Sequence, residues 1–122
     1  MEISAAHHAR MASMTFASVY PLYLTKVEKK GRTKAELDQV ITWLTGFRAA
    51  DIKRFLKNNA TFETFFESAK LHPNAKLITG TICGYRIEDI QVPLTRNVRY
   101  LDKLVDELAK GRKMEKILRE EK

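Results

Sequence analysis

Cysteine, proline and tryptophan are scarce in this chain of 122 residues, and each scarcity excludes something. The lone cysteine, Cys83, rules out an internal disulfide framework and suits a reducing compartment. Only Pro21, Pro73 and Pro93 interrupt the backbone, with five glycines, too few of either for a collagen-like or low-complexity chain. No apolar run approaches the roughly 18 to 20 residues of a membrane span. Residues Met1 to Arg10 lack the charged-then-apolar layout of a secretory signal. The expectation is a soluble cytoplasmic protein that keeps clear of membranes. Metal ligands are also sparse. Of the histidines, His7 and His8 are adjacent and His72 stands alone, with no Cys-x-x-Cys and no His-x-x-x-His, so no metal is expected. Gly80 and Gly84 have the spacing of a fragment of a phosphate loop but lack its Gly-Lys-Ser/Thr ending, and no cofactor is implied.

What is present is helical periodicity and positive charge. A hydrophobic content of 44% fits a single globular domain, and a formal charge of +7 leans towards anionic partners or solubility. The most regular stretch runs from Pro93 to Gly111. There Leu94, Val98, Leu101, Leu104, Val105 and Leu108 recur at three- and four-residue steps and form one apolar stripe on a helix. Pro93 suits its first position and Gly111 the residue past its end. Arg99, Asp102, Lys103, Asp106, Glu107 and Lys110 fall on the opposite, solvated face of that reading.

Upstream, residues Met1 to Arg10 show no period and read as a frayed lead, with residues 1–12 as a flexible segment and 13–122 as one helical domain. Met11 and Met14 are alternative starts. Phe16, Tyr20, Tyr23, Leu24 and Val27 share a face, and Pro21 places the helix start near Ser18, since proline is harmless only in a first turn. Gly31 stops that helix, and Thr33 to Glu36 has the form of a capping box opening a second one through Leu37, Val40, Ile41 and Leu44. Trp43 sits at the stripe's edge and Gly46 closes the helix. The spacing predicts further helices over Ala49 to Lys57 and after a Thr61 cap, the latter with Phe62, Phe65 and Phe66 inward. His72-Pro73-Asn74 reads as a turn. Leu77 to Ile90 is ambiguous. A short helix from Ala75 to Cys83 is preferred, because a single strand would have no partner; a short strand near 81–87 is the competing reading. Met114, Ile117 and Leu118 suggest a last short helix, or an apolar surplus that pairs two chains into a homodimer. The fold class is therefore all-α, a small single-domain bundle of about five to six helices.

With these residues in view, the chain resembles the bacterial family called domain of unknown function 2200. The resemblance rests on FASVYPLY at Phe16–Tyr23, KGRTK at Lys30–Lys34, WLTG at Trp43–Gly46, Cys83-Gly84, Glu88–Ile90 and Pro93-Leu94. It continues through RYLDKL at Arg99–Leu104, DELAKG at Asp106–Gly111 and MEKILR at Met114–Arg119. It implies a small helical, orthogonal-bundle-like domain in a bacterial cytoplasm, and no activity.

Catalytic constellations are missing from the pattern. Cys83, flanked by Ile82 and Gly84, reads as a small buried hydrophobe rather than a nucleophile, since a nucleophile needs a base within hydrogen-bond reach. Tyr85, Arg86 and Glu88 form a candidate polar pocket beside two glycines, in which Arg86 would hold an anion and Glu88 act as base. The candidate anion or nucleic-acid site is the turn carrying Lys29, Lys30, Arg32 and Lys34, next to the positive end of a helix dipole. The aromatics lie on apolar stripes, where packing rather than base stacking is their role, and a helix-turn-helix reading fails for want of a polar reading face. The leading expectation is a non-enzymatic binding or regulatory module. A nucleic-acid binder using residues 26–34 follows, with an acidic protein as the other partner class, and then a small enzyme at 85–89.

Overall fold

The computed structural model describes residues 4–119. Among them are seven α-helices: α1 (Ala5–Ser13), α2 (Phe16–Glu28), α3 (Lys34–Thr45), α4 (Ala49–Lys57), α5 (Phe62–Ser68), α6 (Pro93–Ala109) and α7 (Met114–Ile117). Two 3-10 turns, Pro73–Leu77 and Ile87–Asp89, flank a hairpin of β1 (Thr81–Ile82) and β2 (Tyr85–Arg86). The fold is helical, as the periodicity requires, and no described helix is long and apolar enough to cross a membrane.

Helix α6 is the axis. It opens on Pro93, and the chain leaves it through Gly111 at φ +86°. Helices α1, α2, α3, α5 and α7, strand β1 and the second 3-10 turn all lie against it. Surrounded in this way, α6 buries more than its apolar stripe: Thr95, Arg99 and Glu107 are buried too. The sequence puts Arg99 and Glu107 on the solvated face; neighbours that sequence periodicity cannot see cover those flanks.

Two helix starts are tied to each other. Thr15 pairs with Thr61 as an isolated antiparallel bridge, with Phe16 N–H donating to the Ala60 carbonyl (2.9 Å) and Phe62 N–H to the Met14 carbonyl (2.7 Å). Each threonine also caps its own helix, Thr15 accepting from Ser18 N–H and Thr61 from Thr64 N–H. This bridge moves the start of α2 from the expected Ser18 to Phe16 and leaves Pro21 inside the helix, on its exposed side. The aromatic heart lies just inside, where Phe16 stacks on Phe65 at 4.4 Å and Phe47, Phe55, Phe62 and Phe66 surround that ring.

Further corrections concern the lead and the segment after α5. Of the lead Met1 to Arg10, read as aperiodic and frayed, the part from Ala5 belongs to a helix, Ala5–Ser13, capped by Ser4 and anchored by buried Met11; residues 1–3 lie outside the described residues. The expected helix over Ala75 to Cys83 is replaced by the 3-10 turn and the hairpin, in the register Thr81↔Arg86 and Ile82↔Tyr85. The strand's partner is its own continuation. Cys83 (φ +54°) and Gly84 (φ +84°) form the two-residue loop, whose left-handed pair matches strand twist. Cys83 is consequently exposed rather than buried. Met114, Ile117 and Leu118 turn inward, and Ile117 is wholly buried, so they supply this chain's own core rather than a surplus for pairing two chains. The capping box at Thr33 and Glu36 and the α4 bounds are as the sequence reads. Gly46, at φ +76°, lies so close to the 69–72 segment that a Cβ would come within 3.2 Å of the Lys70 carbonyl oxygen.

Candidate functional site

Two features of the sequence, Lys30-Gly31-Arg32 and Lys110-Gly111-Arg112, are the same tripeptide at the ends of α2 and α6. Both close their helices identically. Gly31 N–H donates to Glu28 O and Arg32 N–H to Val27 O, while Gly111 N–H donates to Leu108 O and Arg112 N–H to Glu107 O. This is the Schellman arrangement, with each glycine left-handed (φ +82° and +86°). The fold sets the two turns side by side, and Arg32 joins them. Its Nη1 donates to the carbonyls of Arg112 (2.8 Å) and Leu108 (3.3 Å), while Nε and Nη2 grip Glu36 (3.2 and 3.0 Å). Those bonds, with the Thr33 N–H, hold the Glu36 carboxyl below its ordinary range.

The expected site residues Lys29, Lys30, Arg32 and Lys34 therefore play different parts. Arg32 is a structural clamp, its side chain only 14% exposed. Lys34 pairs with Asp38 at 2.8 Å, and Lys26 and Lys110 share Asp106 at 3.3 and 3.1 Å. Asp38 also accepts from the Tyr20 hydroxyl, and burial with that carboxylate pushes the phenol up to about 12. Lys29, Lys30 and Lys113 are exposed and meet no carboxylate among the described residues. All three are rooted in or beside the two glycine turns that Arg32 joins. The link between the two turns could not be read from sequence, although the repeated Lys-Gly-Arg was visible.

The candidate pocket at Tyr85, Arg86 and Glu88 is open to solvent. Arg86 is 65% exposed and reaches Glu88 at 3.4 Å and Asp89 at 4.0 Å. Glu88 Oε1 accepts Gly80 N–H at 3.0 Å at the hairpin base, and hydrogen bonds from its own backbone N–H, then from that of Gly80, keep the carboxyl below its usual range. That geometry suits a surface pair more than a desolvated base. Among the described residues no group of three His, Cys, Asp or Glu side chains gathers to hold a metal.

A second polar assembly was missed by the sequence reading. On α6, Arg99 is 9% exposed and its Nη1 donates to Asp102 Oδ2 at 2.7 Å. The other Asp102 oxygen accepts the Tyr23 hydroxyl, and burial, then Asp102, raises that phenol well above its ordinary value. From α1, His7 Nε2 accepts Arg99 Nη2 at 3.4 Å, and His8 Nδ1 contacts the buried hydroxyl of Thr95. The Tyr85 ring lies 6.2 Å from that of His7. Burial, then Arg99, Arg10 and His8, holds His7 below its ordinary value. The sequence signal was slight: an arginine and an aspartate three apart on a helix, and a histidine pair in a segment with no period.

This small helical domain, with its basic end and buried arginine, belongs to a family of uncharacterized proteins conserved in bacteria, DUF2200, whose model matches residues 10–119. No curated protein matches the chain significantly. A solved structure, that of uncharacterized protein SP1917, superposes with a TM-score of 0.84 at 43% identity, covering 89% of this chain and 90% of the other. Neither description carries an activity or a ligand.

Proposed function

We propose that the protein is a non-enzymatic binding module of the cytoplasm that holds the phosphate backbone of nucleic acid at its basic end, without reading sequence. The observation that carries this reading is the side-by-side seating of the two Lys-Gly-Arg turns, with Lys29, Lys30 and Lys113 exposed and meeting no carboxylate among the described residues. Phosphates bind best where cations are held in place and not neutralised by neighbouring carboxylates. No aromatic side chain is among the exposed large hydrophobics of the described residues, which favours contact with the backbone over base stacking. The exposed thiol of Cys83 fits a reducing compartment.

Fluorescence anisotropy against mixed-sequence duplex DNA and RNA tests the reading. Contact through these lysines gives a log–log salt slope near −3, about a 40-fold loss of affinity between ~50 and ~200 mM salt. Substituting Lys29, Lys30 and Lys113 with alanine should flatten that slope. Substituting exposed Lys53 and Lys57 on α4 should leave most of the affinity. Equal losses in both variants would reduce the effect to net charge, and absence of binding at low salt would leave an acidic protein as the partner to pursue.

A further inference from the structure

The Nε–Nη2 edge of a guanidinium presents two parallel N–H donors to a planar carboxylate. In Arg99 that edge meets no carboxylate among the described residues. Nη1, on the far side, takes Asp102, while Nη2 meets, among the described residues, the imidazole of His7 at a long 3.4 Å. Nε is buried and without a hydrogen-bond partner among the described residues. A charged group's donor left buried and unpaired forfeits its hydration with nothing in return, so such a group in a native fold calls for an explanation.

We propose that the Nε–Nη2 edge of Arg99 is a binding site for the carboxylate of a small organic acid, which His7 of α1 occupies as an internal, displaceable plug. The site is built. Asp102 fixes the guanidinium from behind and is itself fixed by the Tyr23 hydroxyl, so the edge is oriented before any ligand arrives. The plug is loosely held. Helix α1 buries one large apolar residue, Met11, and His7 itself is only half-buried, so its ring can swing to solvent without unfolding the bundle. Tyr85 of the hairpin is beside the vacated volume, where its ring would cover the body of the acid. The local charge favours a monoanion. Asp102 already balances Arg99, and Arg10, near enough to lower the pKa of His7, meets no carboxylate among the described residues, so one anionic charge is matched and a dianionic phosphate is a poorer fit. Arg99 and Asp102 lie within the residues matched by the family, whereas His7 precedes them, which separates the site from its plug.

The test follows the Arg99 Nε–Hε resonance by proton–nitrogen NMR, assigned with Arg99→Lys, on the full chain titrated with sodium acetate, sodium benzoate and inorganic phosphate. A plug in place nine-tenths of the time masks a site about tenfold, so His7→Ala should bind acetate or benzoate about tenfold more tightly than the native chain. Phosphate should bind more weakly, and chloride should leave the resonance in place. A folded His7→Ala variant whose Arg99 resonance ignores both carboxylates overturns the proposal, as does an equal response to chloride. Phosphate binding tighter than carboxylate also overturns the assignment of ligand. The native chain gives an independent reading should the variant not fold. Benzoate should move the Arg99 Hε and His7 ring resonances together with one affinity, and movement of neither overturns the proposal.

Discussion

Replacing Arg32 with lysine keeps the formal charge of +7 and removes the planar fork that holds the two glycine turns together. Arg32 places Nε and Nη2 on the two oxygens of Glu36 and Nη1 on two carbonyls at the end of α6. A lysine ammonium reaches the carboxylate or the carbonyls, not both. Each lost hydrogen bond to a charged group costs about 1.5–3 kcal/mol when its partner stays buried. Here the discount is substantial, because Glu36 is 32% exposed and can turn to water, and the Leu108 carbonyl still accepts Gly111 N–H. The expected loss is about 2 kcal/mol, which for a domain of this size lowers Tm by about 6–10 °C. Urea denaturation followed by circular dichroism measures it, with an unchanged m-value showing that the compactness of both states is preserved. A loss below about 0.5 kcal/mol would mean that the clamp is an exposed ion pair of little worth, and the side-by-side seating of the turns would need another cause. Because net charge is constant, any fall in nucleic-acid affinity in this variant reports the alignment of the turns rather than their charge.

Two further outcomes follow from the ionic contacts of α6 and α3. Glu107, 5% exposed, is gripped in bidentate fashion by Arg119 (2.7 and 2.8 Å) and approached by Arg112 (3.3 Å); Glu107→Ala strands Arg119 and should cost about 3 kcal/mol, with a double-mutant cycle against Arg119→Ala recovering at least about 1.5 kcal/mol of coupling. Coupling near zero would show that α7 is held by Ile117 and Leu118 alone. Glu36 has a folded-state pKa below its unfolded value of 4.5, chiefly through Arg32, so its contribution is present above that value and lost as pH falls through the folded one. Acid titration of stability should show a loss below pH ~4.5 that is shallower in Arg32→Lys. Equal slopes in the two chains would remove Arg32 as the cause.

Much of the architecture was written locally. Thr33 and Glu36 cap each other across one turn, Gly31 and Gly111 supply left-handed stops that no other residue adopts as readily, and the stripe from Leu94 to Leu108 needs one apolar neighbour of any kind. Such signals involve residues within four or five positions of one another, so sequence alone determined the helical class, the α4 bounds and the axis at Pro93. What only tertiary structure decided involves groups far apart in the chain. The start of α2 is set by Ala60, the helix at α1 by its seat against α5 and α6, and the fate of Arg99 and Glu107 by covers arriving from His7 and Arg119. The hairpin is the instructive exception. Its signal was local, a two-residue loop at Cys83-Gly84, but a cysteine at positive φ is an uncommon turn residue and the pattern favoured burial. Both candidate surfaces are of the non-local kind. The repeated Lys-Gly-Arg and the spacing of Arg99 and Asp102 were legible, but only packing brought one turn beside the other and left one edge of a buried guanidinium facing a histidine.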